Sequence, residues 1–263
     1  MGLGEDTSRP LPARPAAGIA SGALDGRYPS PSMGAPAASS WAVSEHWLGD
    51  FLKAFPVSAN AYRVTDIAGG CTPSIVVAGA STERGVMRLS TGAGALDGGT
   101  VALPQPTYSG VDEGTLWVCK NRIYSTNTQI IAWSGFASGM GATPAVATAM
   151  SFVGIRLIAA GASANWYGVA KDGAASETTL DLGVAGDSTF RILAFRKLAS
   201  SIVFYTGNAS DRDRGLVLTE VGSITTTIPT AALYPVAVGC LATSASQRDL
   251  EQDFFTMGGS LAT

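Results

Sequence analysis

Asp249, Glu251 and Asp253 stand at alternate positions of a run near the C-terminus that reads as a strand. Alternate strand residues project to one face, so the three carboxyls would share a surface. Two carboxyls roughly 5–5.5 Å apart across a sugar linkage can hydrolyse it, one as acid and base and the other as nucleophile. Residues two apart on a strand approach that separation, so a glycoside hydrolase is one reading, with Glu251→Gln as the substitution that would silence it.

The remaining reactive residues form no such set. His46 is the only histidine, flanked by Glu45 and Trp47 with no Gly-x-Ser-x-Gly elbow, and reads as solvated or stacked on an aromatic ring, not as a triad base. Asp211 and Asp213 of NASDRDRG are neutralised by the neighbouring arginines and supply too few ligands for calcium. Cys71, Cys119 and Cys240 are three widely spaced thiols, which argues against a disulfide framework or a zinc site. They read as buried free thiols, Cys119 and Cys240 within apolar strands, with an intermolecular disulfide as the alternative. Trp166 and Tyr167 could stack on a sugar, but adjacent strand residues face opposite ways and at least one belongs to the core. No glycine-rich phosphate loop is present. We therefore expect no catalytic, cofactor-binding or metal-ligating set.

The elements that would position these residues are mostly strands. Charged residues make up 14% of the 263, against about a quarter in ordinary domains, which leaves a neutral, hydroxyl-rich surface. A net charge of −3 without a basic run argues against nucleic acid or an anionic membrane as partner. No apolar window reaches the roughly 18 residues of a membrane helix, and the first residues carry neither a secretory signal nor a myristoylation motif.

Residues 1–40 are rich in Pro, Ala, Gly and Ser, with too few large apolar side chains to fold alone, and read as an extended arm. In 41–61, Ser44, Glu45 and the spacing of Trp47, Leu48, Phe51, Leu52 and Phe55 before Pro56 predict one short amphipathic helix and a linker. From 62 to 263, short β-branched and aromatic runs between Gly, Asn, Asp and Ser predict an all-β antiparallel sandwich. Candidate strands are Ser74–Ala78, Gly85–Ser90, Thr100–Leu103, Thr115–Cys119, Gln129–Trp133, Ser151–Ala159, Asn165–Ala170, Thr178–Val184, Thr189–Phe195, Ile202–Thr206, Leu216–Glu220, Val236–Leu241 and Leu250–Thr256. The segment around Leu198–Ser201 predicts a hairpin, Gly173 and Gly183 mark turns with positive φ, and Pro229 and Pro235 mark strand beginnings.

The second half of the chain runs ANWYGVAKDG, ETTLDLGV, STFRILAFRK, SSIVFYTGN, TTTIPTAALYPVAVGCLAT and DLEQDFFTMGG, preceded by RGVMRLSTGAGALDGGTVAL. In this order the motifs resemble the concanavalin A-like, lectin-like jelly roll of tailed-bacteriophage structural proteins, over roughly residues 80–258. NASDRDRG lengthens one turn beyond that pattern, and nothing before residue 40 belongs to it. The resemblance implies that the Asp253 strand is an ordinary closing strand. The two Glu framing an Asp that mark sugar-cleaving sandwiches are missing.

What the resemblance and the arm together imply is a capsid decoration or cement protein, not an enzyme, assembled into virions in the bacterial cytoplasm. Its partners would be the major capsid protein or other virion proteins and further copies of itself, a trimer being favoured. Arg9, Pro10, Arg14, Tyr28, Trp41, Trp47 and Phe51 are the residues expected to touch them. A glycan-binding tail-fibre or head-fibre module is the alternative, and the hydrolase comes third.

Overall fold

The computed structural model describes residues 43–48, 63–76, 86–102, 114–124, 129–139, 150–159, 164–207, 217–230 and 233–260. These form fifteen strands: β1 (Val43–Leu48), β2 (Arg63–Ile67), β3 (Cys71–Val76), β4 (Val86–Thr91), β5 (Gly98–Ala102), β6 (Leu116–Ile123), β7 (Ile130–Ala137), β8 (Phe152–Ala159), β9 (Asn165–Lys171), β10 (Thr178–Ala185), β11 (Arg191–Lys197), β12 (Ile202–Gly207), β13 (Leu218–Ile224), β14 (Tyr234–Ala242) and β15 (Asp249–Ser260). They make two antiparallel sheets. One runs β13-β12-β11-β6-β15-β4-β3 with β1 also paired to β15, and the other runs β10-β9-β8-β7-β14-β5-β2.

Alternation along the strands puts one apolar set between the sheets. Trp117, Cys119, Leu193, Phe195, Phe204 and Phe255 of the first sheet meet Phe136, Val153, Ile155, Leu157, Trp166 and Val238 of the second. Trp117 stacks on Phe255 with ring centroids 5.2 Å apart and meets the Phe136 ring edge-on, also at 5.2 Å. Its indole N–H donates to Ser134 Oγ at 3.1 Å, and that hydroxyl donates to the Ala237 carbonyl at 2.7 Å. Gln252 Nε2 donates to the same carbonyl and to Asn121 Oδ1, at 2.8 and 2.9 Å. The Trp117–Ser134 and Gln252–Ala237 bonds cross the core and fix how one sheet sits on the other. Both outer faces also carry buried apolar residues, among them Trp133, Phe152 and Leu241 on one sheet and Val118, Ile192 and Ala194 on the other.

Every strand in the sequence reading has a counterpart, whereas β1 and β2 were not anticipated. The helix expected from Ser44 does not form at its start: Val43–Leu48 is a strand, with Trp47 opposite Met257 and Leu48 opposite Thr256. The physical reason lies in β15. Its pairing with β4 ends at Gln252, yet the strand runs on to Ser260, which leaves a row of backbone groups on that edge. Filling this row outweighs the helical spacing of VSEHWL, because a short helix has a costly nucleus and an open edge leaves donors and acceptors unmet. The rest of the helix expectation, 49–55, lies outside the described residues.

Gly173 and Gly183 both take the expected positive φ, with one difference in setting. Gly173 has φ 55° in the turn between β9 and β10. Gly183, at φ 68°, lies in no turn but in a bulge of β10 between Asp181 and Val184, where its amide donates to Asp181 Oδ1 at 2.8 Å. In the glycine-rich TGAGALDGG stretch, the Asp97 carboxylate accepts from the amides of Gly69 at 2.9 Å and Gly94 at 2.7 Å. A Cβ at Gly69 or Gly92 would lie 2.3 Å from an Asp97 carboxylate oxygen, so these glycines let one carboxylate join two loops.

Candidate functional site

The acidic strand singled out in the sequence sits at the centre of a charged cluster. Glu251 of β15 is directly opposite Arg88 of β4 on one side and Arg122 of β6 on the other, so the three side chains rise from one face of the sheet away from the core. Arg88 Nε and Nη2 donate to Glu251 Oε1 at 2.9 and 2.5 Å. Arg122 Nε donates to Oε2 at 2.6 Å, and its Nη2 lies 2.6 Å from the same oxygen. Glu251 is 0% exposed, whereas the Arg88 and Arg122 side chains keep 24% and 28%. Burial works against the Arg88 charge, but the hydrogen bonds and charge of Glu251 outweigh it and hold the guanidinium above its usual value.

A bulge then resets β15. Gln252 faces Asn121, but the next partner, Lys120, faces Phe254, which leaves Asp253 as the extra residue. Its Oδ2 accepts from Lys120 Nζ at 3.0 Å, both side chains being buried. The bulge also brings Phe255 into the core, five positions after Leu250, which strict alternation would forbid. Two rings complete the cluster. The Arg88 guanidinium lies 3.7 Å from the centroid of Tyr124 and that of Arg122 lies 4.2 Å from the centroid of Phe190. Tyr124 is 50% exposed.

Chemically, each Glu251 oxygen is held by charged donors and neither meets solvent, an arrangement that fixes charge and orients two guanidinium groups. Asp249 is half-buried at the strand's start, where its Oδ1 accepts from Gln247 at 3.3 Å. Sequence reasoning found the carboxylates but missed Arg88, Arg122, Tyr124 and Phe190. The available signal was charge in the middle of otherwise apolar strands, VMRLST and WVCKNRI, which demands a countercharge across the ladder. A further ion pair lies at the other sheet, where the buried Arg156 guanidinium of β8 donates to both oxygens of the exposed Glu177 at 2.7 and 2.5 Å and holds that carboxyl below its usual value.

The other candidates separate. Trp166 is fully buried between the sheets, while Tyr167 packs, partly exposed, on the outer apolar face of its sheet, so they cannot form one sugar platform. Cys119 and Cys240 are buried free thiols and Cys71 is half-buried; burial pushes the Cys119 thiol up to about 12. His46 and Trp47 lie on β1. Arg9, Pro10, Arg14, Tyr28, Trp41, Phe51, Asp211 and Asp213 lie outside the described residues.

No protein-family model matches the sequence, and no curated protein matches it. Solved structures do match in fold. A protein of unknown function from Shewanella oneidensis MR-1 aligns with TM-score 0.55 at 15% identity, covering 89% of this chain and 98% of that one. The Bacillus licheniformis β-glucanase aligns with TM-score 0.53 at 14% identity over 81% of this chain and 97% of its own. The carbohydrate recognition domain of Emp47p gives TM-score 0.51 at 10% identity over 81% and 95%. The chain thus has the concanavalin A-like β-sandwich shared by lectin and glucanase structures; at these identities the likeness concerns fold alone.

Proposed function

We propose that this protein is a non-catalytic structural module of a tailed-phage particle, a decoration or cement protein that binds coat proteins through its Pro-, Ala- and Gly-rich leader. The observation that carries the non-catalytic reading is the Arg88, Glu251, Arg122 ladder, in which the best-placed acid of the sequence is bound through both oxygens and shut off from water. Support for the particle setting comes from the order of motifs between residues 80 and 258 and from a leader composed to gain its contacts from a partner. Repetition of such contacts over a symmetric shell multiplies a modest affinity.

The test is removal of residues 1–40. The truncated chain keeps a cooperative unfolding transition and loses its occupancy on purified heads, while the full chain saturates them. Equal occupancy for both forms would defeat the leader's role.

A glycan-binding module is the second reading, favoured by the half-exposed Tyr124 ring beside two partly exposed guanidiniums, a surface suited to an acidic sugar that stacks and presents its carboxylate. On an array of acidic glycans this reading expects binding that falls about tenfold in Tyr124→Ala. An array without signal would end it.

A further inference from the structure

We infer that Cys71 and Cys240 form a covalent modification site, a latent disulfide that ties the two sheets together when the chain meets a small-molecule disulfide. The two residues lie far apart in sequence and on different sheets, Cys71 at the start of β3 and Cys240 inside β14. Gly99 of β5 brings them together. It is the register partner of Cys240, and a Cβ built on it would lie 2.2 Å from Cys71 Sγ. The Cys71 sulfur therefore occupies the volume that a Gly99 side chain would fill. Paired residues keep their Cβ positions on one face about 4.5–5.5 Å apart, which sets that sulfur beside Cys240.

Cys240 reaches from the opposite direction. Its thiol leaves its own sheet and donates to the Leu89 carbonyl of β4 at 3.6 Å, and β4 is the strand on which Cys71 is paired, opposite Thr91. Both sulfurs thus occupy one gap between the sheets, kept open by the missing side chain at Gly99. The nearness also registers electrostatically: after burial, Cys71 is the next contributor to the raised Cys240 thiol. Cys119 is engaged elsewhere, donating to the Leu193 carbonyl at 3.6 Å and accepting from Asn121 at 3.4 Å.

The chemistry is thiol–disulfide exchange. Cys71, the more exposed of the pair, attacks a small disulfide such as oxidised glutathione as its thiolate and gives a mixed disulfide with release of one small thiol. Cys240 then attacks the Cys71 sulfur, and the second small thiol leaves carrying the remaining proton. Two protein thiols are oxidised by two electrons and one small disulfide is reduced to two thiols. Burial and the neighbouring Asp66 push the Cys71 thiol up to about 12, so exchange is slow and needs prolonged exposure. In a reducing compartment the pair stays open, and in oxidising surroundings it closes. This inference stands independently of what the protein binds.

The test is incubation of the folded full-length chain with excess oxidised glutathione for about a day, followed by alkylation, non-reducing peptide mapping and thermal unfolding. The expected product is two hydrogens lighter than the reduced chain, joins the Cys71 and Cys240 peptides, and retains one of its three thiols. Its Tm rises by about 5–10 °C and returns when reductant is added. Cys71→Ser removes both the crosslink and the rise, whereas Cys119→Ala keeps both. Glutathione left on Cys71 with Cys240 still alkylatable after unfolding, a crosslink through Cys119, or three surviving thiols would each overturn the inference.

Discussion

Glu251→Ala lowers the free energy of unfolding by about 2–4 kcal/mol, because removing the shared carboxylate leaves two guanidinium groups facing each other across one vacated ladder position. The figure stays below the upper end for buried pairs because about a quarter of each arginine side chain is exposed and can turn to water. Urea unfolding of Glu251→Ala against the parent chain checks it. Arg88→Ala made alone costs less, since Arg122 still holds the second oxygen of Glu251, and a double-mutant cycle of Glu251 with Arg88 gives a coupling well above the few tenths of a kcal/mol found between independent sites. Stability unchanged in Glu251→Ala would mean that the ladder does not hold this face of the sheet together.

The largest loss is expected at Trp117. It is fully buried, stacks on Phe255, meets Phe136 edge-on and donates to Ser134. Trp117→Ala removes the ring that joins the two sheets and costs about 3–5 kcal/mol. Trp117→Phe keeps most of the ring packing and loses the indole N–H, so it costs about 1–3 kcal/mol. Denaturant midpoints together with near-ultraviolet circular dichroism separate the two effects. Near-parental stability for the alanine variant would contradict the assignment of this ring to the centre of the core.

How far the sequence could be read follows from which forces act locally. Strands such as Ile202–Gly207 and Phe152–Ala159 declare themselves by β-branched and aromatic runs bounded by turn residues, and both form as expected. The start of the expected helix failed because its residues carry helical spacing while the deciding partner, the far end of β15, lies some two hundred residues away. Gly183 carried a correct conformation in the wrong setting, since positive φ suits a bulge as well as a turn. The acidic strand was legible as a shared face. Its neighbours were not, because only the pairing of β15 with both β4 and β6 reveals that each Glu251 oxygen has an arginine. The same limit concealed Cys71 from Cys240: the gap that unites them depends on Gly99 and on the stacking of two sheets.

The function proposed above rests on the Glu251 ladder being a structural link across β4, β15 and β6 and not a catalytic group. Release of reducing ends from β-glucans and acidic polysaccharides, followed side by side for the purified parent chain and Glu251→Gln, tests it most directly. The account predicts no release above a protein-free control from either. Sustained release by the parent chain that vanishes in Glu251→Gln, with the variant still folded, would contradict it.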